Sequence, residues 1–396
     1  MRLPDALAAL DAVLAPDTSD GFLNGLAAGA WRRLPAAATR ERLNLLGADA
    51  RETLTGAFGI ATELTYHSAN AEMPAPTLRP FTDAAEFRAQ IADFHDRHYS
   101  VRFPGLRPYS APLDHVCRAL ECLLHKPVTA SAFWSQGGMQ APVHSDDHDL
   151  LVIQIIGRKR WFIAEGPASL ENTWERIPGL PPSLGTPATF AVAPGDAVYL
   201  PRGTVHAVEG DEESIHVSIG FTPITVREAL IAAIDHLSDL DRGWRDTATP
   251  FLAQQLLTGR LEPLPDLLSR ATQSLTEALR APGFTAAALQ RRSARAVGLL
   301  ARSKDVRSIS LTLDSELRQR PDAFCHLSAN PEKIDVAYPG GHLYIHRGAE
   351  AAVLYLVNNA QLRVRDIPGD IDDAVRLSLA TRFCEVGLLE LVTRPP

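Results

Sequence analysis

Two histidines and three aspartates crowd into VHSDDHD, Val143–Asp149, directly ahead of the apolar run LLVIQII. In extended backbone, side chains alternate between faces, so His144 and Asp146 project to one side while Ser145 and Asp147 project to the other. An imidazole and a carboxylate two residues apart on one face can grip a single metal ion, but a third ligand must come from elsewhere. About sixty residues downstream, PGDAVYLPRGTVHAV reads as turn, short strand, second turn and strand, and it delivers His206 into a sheet. Two histidines and one carboxylate on one face form the triad of non-haem Fe(II) oxygenases, which leaves coordination positions open for co-substrate and dioxygen. Zinc favours a closed set of four ligands, or a His-rich set with one open position.

Other residues in these segments compete for roles. His148 shares a face with His144 and Asp146 and becomes an alternative ligand if the register shifts. Because the run from Leu150 must already lie inside the sheet, His148 and Asp149 are read as rim residues. His216, in SIHVSIGF, shares a face with Ser218 and reads as a hydrogen-bonded pocket histidine. Trp161 and Tyr199 read as core or pocket wall.

The elements that position these residues divide into three regions. Up to about residue 125, helical periodicity (DAAEFRAQIADFHDRHY, LDHVCRALECLLHK) alternates with Pro-rich connections. From about 128 to 222 the chain turns β-rich. The runs VTASAFW, LLVIQII, RWFIAE, ATFAV, AVYL, TVHAV and SIHVSIGF are separated by GG, GRK, PGD, PRG and EGDEE, which is the turn chemistry of tight antiparallel connections. Closely spaced strands with no intervening helices predict a sandwich or small barrel. After Pro223 come amphipathic segments, TVREALIAAIDHLSDL, PFLAQQLLTG, PDLLSRATQSLTEALRA and TAAALQRRSARAVGLLARS, that predict a helical subdomain packing on the barrel or on a second copy of itself. The last hundred residues read as a hairpin, KIDVAYPGGHLYIH, followed by two helices, AAVLYLVNNAQ and DIDDAVRLSLATRFCEVGLLEL. The second of these opens on three aspartates, the wrong charge to face phosphate, which predicts an interaction or structural module.

A chain of 396 residues with 45% hydrophobic and 22% charged content has ample material for a large core and more than one domain. Its net charge of −8 argues against a nucleic-acid surface and favours a basic partner. Cys117, Cys122, Cys325 and Cys384 show no paired spacing, and the first two read as small core hydrophobes. The chain shows neither a secretory leader nor an apolar run of membrane-spanning length, so a cytoplasmic setting with no membrane partner is expected.

The segment His144–Phe162, taken with Gly195–His206, resembles the JmjC-type cupins, in particular the ribosomal oxygenase group of 2-oxoglutarate-dependent hydroxylases. The likeness extends to GFLNGLAAGAWRRLP, to the SQGG approach before His144, to GRKRW, GDAVYLPRG and IHVSIGF, and to the helical and terminal modules. It implies a mixed β and α fold with a double-stranded β-helix over residues 1–222, a helical dimerisation region over 223–300 and a winged-helix-like domain over 301–396. His144, Asp146 and His206 are implied as ligands of Fe(II). Lys159 is implied to pair with the distal carboxylate of the co-substrate 2-oxoglutarate, O2 being the oxidant. Lys159 also has a plainer reading, as a charge marking the return of a strand to solvent. Arg158 and Arg160 alternate to the opposite face. The implied function is hydroxylation of a side chain in a protein or peptide, either a ribosomal protein or a biosynthetic precursor, by a homodimer. A metal-binding cupin acting as scaffold or sensor, and a zinc or manganese cupin of small-molecule metabolism, are the competing readings.

Overall fold

The structure, a computed structural model, describes residues 1–36, 39–59, 65–67, 83–170, 182–246, 257, 265–302 and 309–392. Its chain divides into two compact units, Met1–Pro223 and Ile224–Pro396.

The first unit begins with helices α1 (Leu3–Leu14), α2 (Ser19–Gly25), α3 (Thr39–Leu43), α4 (Ala50–Gly56), α5 (Ala84–Asp96) and α6 (Ala111–Leu124). Helix α6 starts where the Ser110 hydroxyl accepts from the Leu113 amide, with proline in the first turn, a strong start signal. Its buried stripe of Leu113, Val116, Cys117 and Leu120 packs on α1, whose own stripe is Ala6, Leu10, Val13 and Leu14. Arg42 in α3 is fully buried, although its sequence context gives no hint of it. Its guanidinium donates to the carbonyls of Val13, Ala15, Leu34, Pro35 and Gly195 at 2.7–3.0 Å, tying the N-terminal helix to the sheet.

The strands among the described residues follow the order β1 (Arg32–Leu34), β2 (Thr65–His67), β3 (Ser100–Phe103), β4 (Thr129–Ser135), β5 (Met139–His144), β6 (Asp149–Ile156), β7 (Lys159–Ala164), β8 (Pro187–Val192), β9 (Ala197–Leu200), β10 (His206–Gly210) and β11 (Ser214–Phe221). They form two antiparallel sheets, ordered β1-β9-β6-β11-β4-β3-β2 and β5-β10-β7-β8. Leu150, Val152, Val198 and Leu200 from the first sheet share one core cluster with Trp161, Ile163, Val192 and Val208 from the second. From β4 to β11 successive strands pass between the two layers, apart from the β7–β8 pair, as in a double-sheet roll. Crossing from β6 to β7 requires Gly157, at φ +65°, because a Cβ there would stand 1.9 Å from the Glu213 carbonyl oxygen.

Each of the seven runs expected to form strands does so, but the sequence reading missed β5. The segment MQAPVH carries Pro142 and lacks clean alternation, yet it lies at a sheet edge, where a proline costs no ladder hydrogen bond. Strands β1 to β3, which extend the larger sheet, were also unforeseen.

In the second unit, helices α7 (Val226–Leu240), α8 (Pro265–Arg280) and α9 (Phe284–Gly298) occupy three of the four expected helical segments. The fourth, PFLAQQLLTG, lies outside the described residues except for Leu257. Helix α7 opens with a capping box in which Thr225 and Glu228 satisfy each other's amides. The C-terminal part is richer in strands than a hairpin and two helices. It contains β12 (Glu316–Gln319), β13 (His326–Ala329), β14 (Lys333–Tyr338), β15 (Gly341–His346), α10 (Glu350–Asn358), β16 (Gln361–Arg363), α11 (Asp373–Glu385) and β17 (Leu389–Leu391). These strands make two antiparallel sheets, β13-β14-β15 and β16-β12-β17. The last predicted helix stops early because Gly387, at φ +80°, supplies the left-handed turn that releases the chain into β17. Of the three aspartates at its start, Asp372 is the N-cap and Asp373 pairs with Arg376. No helix among the described residues is long and apolar enough to cross a membrane.

Candidate metal centre

Strands β5 and β10 pair so that His144 and His206 are direct cross-strand partners. Such neighbours lie close enough for their rings to meet, and the two centroids are 4.3 Å apart. Asp146 lies two residues beyond the end of β5, in a loop, so its position does not come from strand alternation as the extended reading assumed. It comes instead from a backbone bond, Gly203 N–H donating to the Asp146 carbonyl at 2.7 Å, which ties that loop to the turn before β10. The Asp146 Oδ2 atom consequently stands 4.0 Å from His144 Nε2 and 3.7 Å from His206 Nε2. Among the described residues these three form a group whose ligand atoms all lie within 4.8 Å of one another, a set that could hold a metal ion.

Both imidazoles are oriented from behind. His144 Nδ1 lies 2.7 Å from the Pro142 carbonyl oxygen and His206 Nδ1 lies 2.9 Å from that of Thr204. A carbonyl only accepts, so it fixes the proton on Nδ1 and leaves the Nε2 lone pair free to coordinate. His206 is also buried, and burial, reinforced by the neighbouring His144 ring, holds its imidazole below the usual pKa. A neutral imidazole is the form that binds metal. The Trp161 ring stacks on His206 at 5.6 Å and lies 6.4 Å from His216. Its buried indole N–H has no hydrogen-bond partner among the described residues.

Lys159 is 1% exposed and shares a face of β7 with Trp161 and Ile163, so the reading of it as a return to solvent is excluded. Its Nζ lies 3.0 Å from Ser135 Oγ on β4 and 3.0 Å from His216 Nδ1 on β11. No carboxylate is among these partners, and burial pushes the Lys159 ammonium down to about 7. Ile163, two same-face positions along β7, is the cross-strand partner of His206. At about 3.3 Å per residue, Lys159 therefore sits roughly 13 Å along the barrel from the level of the histidines. His216 is buried and stacked on Phe133 at 4.8 Å, a pocket position as expected. Arg158 and Arg160 face outward, Arg160 paired with Glu209.

One expectation needs correcting. Asp149 is not at the rim: it is buried, its carboxylate accepting from Tyr199 Oη at 2.6 Å and from Arg202 Nη1 at 3.1 Å. Sequence reasoning passed over Arg202 because PRG reads as an ordinary turn. His148 remains partly exposed, with Nδ1 2.7 Å from Asp147 Oδ1.

Two packed antiparallel sheets, with two imidazoles on paired strands of one of them and one carboxylate on the adjoining loop, make a mixed fold with a candidate metal site. Residues 108–229 match the family model of the JmjC domain, and this segment is a JmjC domain. The chain is 31% identical over 140 residues to ribosomal oxygenase 2 of Rattus norvegicus, an alignment that takes in 34% of this chain and 30% of that protein. It is 33% identical over 162 residues to the bifunctional lysine-specific demethylase and histidyl-hydroxylase NO66 of Drosophila simulans, over 39% of this chain and 18% of that one. The chain thus spans less than a third of the length of these curated relatives. A solved structure of YcfD, a ribosomal oxygenase from Escherichia coli, in complex with cobalt and 2-oxoglutarate shares the fold. Its TM-score is 0.54 at 17% identity, covering 92% of this chain and 95% of that one.

Proposed function

We propose that this chain is an Fe(II)- and 2-oxoglutarate-dependent oxygenase that hydroxylates a side chain of a protein or peptide. The observation that carries the reading is the convergence of the His144, Asp146 and His206 donor atoms with both Nδ1 atoms tied to carbonyls. Three protein ligands on one side of an ion leave its other positions open, which is what a chelating co-substrate and dioxygen require. Bound iron supplies oxygen activation: one oxygen atom enters a substrate C–H bond as hydroxyl, and the other enters succinate as 2-oxoglutarate loses carbon dioxide.

The remaining residues supply position and a dry pocket. Lys159 holds the distal carboxylate of 2-oxoglutarate, its ammonium gaining an anionic partner beside the hydroxyl and imidazole it meets among the described residues. The buried Trp161 N–H, without a hydrogen-bond partner among the described residues, belongs to a ring that contacts the His206 and His216 rings, and it is a donor that an oxygen-rich co-substrate can satisfy. For the substrate, the net charge of −8 favours a basic chain, the name of ribosomal oxygenase 2 favours a ribosomal protein, and we assign the reaction to the cytoplasm. We assign residues 1–222 to the oxygenase domain, 223–300 to a helical region that pairs two copies, and 301–396 to a winged-helix-like module serving protein contact.

The test is succinate release by purified protein supplied with Fe(II), ascorbate and 2-oxoglutarate, with and without basic ribosomal-protein peptides. Turnover that disappears in His144→Ala, with one oxygen atom added to a peptide by mass spectrometry, supports an oxygenase. Metal binding with no succinate under any of these conditions assigns the chain instead to a scaffold or sensor.

A further inference from the structure

The two loops that bring the candidate ligands together converge on one buried carboxylate. Asp149, the first residue of β6, is 2% exposed at its side chain and accepts three hydrogen bonds: from Tyr199 Oη at 2.6 Å, the Arg202 amide at 3.3 Å and Arg202 Nη1 at 3.1 Å. Arg202, 11% exposed, is the second residue of the turn Pro201–Thr204, which closes through the Thr204 amide and hydroxyl on the Pro201 carbonyl, at 3.1 and 2.6 Å. That turn touches the metal site twice. Its Gly203 amide donates to the carbonyl of Asp146, and its Thr204 carbonyl accepts from His206 Nδ1. Asp149 therefore grips the turn at Arg202, while the next two residues set where Asp146 and His206 stand.

We propose that Asp149 and Arg202 are positioning residues for the metal centre, a buried ion pair that locks the loop carrying Asp146 against the turn preceding His206. Both loops lie outside the regular ladder, so strand pairing alone does not fix Asp146; among the ligands, only His144 and His206 are placed by register. Metal affinity then depends on how closely the three donors are preset, since any loop freedom must be lost on binding. The inference rests on the metal-site reading above.

The experiment uses the metal-free full chain and Co2+ as probe, read by its visible d–d absorption, well below the thermal midpoint of each variant. Removing groups that orient metal ligands typically weakens metal binding by roughly ten- to hundredfold, and that loss is expected for Asp149→Asn and Arg202→Met, with an altered band shape. Arg202→Lys, which keeps a cation beside Asp149, recovers part of the affinity. Tyr199→Phe leaves the Arg202 bonds intact and gives a smaller loss. Should Asp149→Asn fail to fold, the Arg202 and Tyr199 variants carry the test. A purely structural role predicts a lower thermal midpoint with Co2+ affinity and spectrum unchanged, and that result in the folded variants overturns the proposal. His144→Ala separates the two layers: if it binds Co2+ as tightly as the parent protein, the metal site itself is wrongly assigned.

Discussion

Replacing Lys159 by methionine moves stability and co-substrate binding in opposite directions. Among the described residues the buried lysine has a hydroxyl and an imidazole as partners and no carboxylate, and burial lowers it from 10.5 to about 7. A group so depressed destabilises the fold wherever it is charged. The cost is full below the folded value near 7, shrinks as pH rises, and is gone above the unfolded value of 10.5. At about 1.4 kcal/mol per pH unit the full cost is on the order of 5 kcal/mol. Methionine removes that cost but takes the ammonium from His216 Nδ1, at about 1–3 kcal/mol, while Ser135 keeps its bond to Ser100 Oγ. Urea denaturation of the metal-free protein should therefore show Lys159→Met more stable at pH 7 by roughly 2–4 kcal/mol. The rise of parent stability between pH 7 and 10 should vanish in the variant. Calorimetric titration of 2-oxoglutarate into the metal-loaded protein should show the reverse effect. The lost charge-assisted contact weakens binding by about 1.5–3 kcal/mol, tenfold or more, while metal affinity holds. Since the dianion binds the charged lysine, parent affinity should fall by up to about tenfold per pH unit above 7, with proton uptake on binding. A variant that loses stability while binding 2-oxoglutarate as well as the parent would refute both the burial cost and the assignment.

Arg42→Met should destabilise the first unit by more than roughly 4 kcal/mol in chemical denaturation, because it strands buried carbonyls that now share one guanidinium. His206 has its pKa lowered in the folded state, so protons favour the unfolded chain. Metal-free stability should be full above the unfolded value of 6.5 and decline as pH drops below it, and the decline should be smaller in His206→Ala. Burial pushes the thiols of Cys117 and Cys384 up to about 12, so neither should react with a thiol reagent at neutral pH until the chain unfolds. Asp146→Ala should abolish Co2+ binding while leaving the thermal midpoint of the metal-free protein nearly unchanged, because its side chain is 30% exposed and comes no closer than 3.7 Å to either histidine.

What could be read in the sequence was whatever a strong local period or a turn residue dictates. The runs LLVIQII and SIHVSIGF declare buried strands, and PGD and PRG declare turns, so the strand-turn-strand run that carries His206 was legible, although its two strands do not pair as a hairpin: β9 and β10 lie in different sheets. Strand β5 was not, because MQAPVH owes its extended form to its partner β10 and not to its own composition. In the C-terminal part, Gln361–Arg363 and Leu389–Leu391 became strands for the same reason, each pairing with β12 across a long sequence separation. The burial of Arg42 was illegible in another way, and so was that of Lys159 from its local composition, although the family resemblance singled Lys159 out. Both are charged residues in polar contexts, and only the convergence of carbonyls on one, and of Ser135 with His216 on the other, makes their burial tolerable.

The crowding of VHSDDHD against LLVIQII follows from the same physics. A ligand carboxylate must remain ionised, so it cannot sit within a dry strand; it must stand where the chain has just left the sheet yet is still held by it. Asp146 satisfies both demands: it is about one-third exposed at its side chain, while its own carbonyl is bonded to Gly203. Asp149, three residues later, is already buried and ionic, and persists there because Arg202 and Tyr199 neutralise and satisfy it. Within a few residues the chain therefore passes from a carboxylate free to bind an ion to one that is fully committed. The apolar strand must begin at once after the second, because its burial against β9 and β11 keeps that ion pair dry and the loop above it in place.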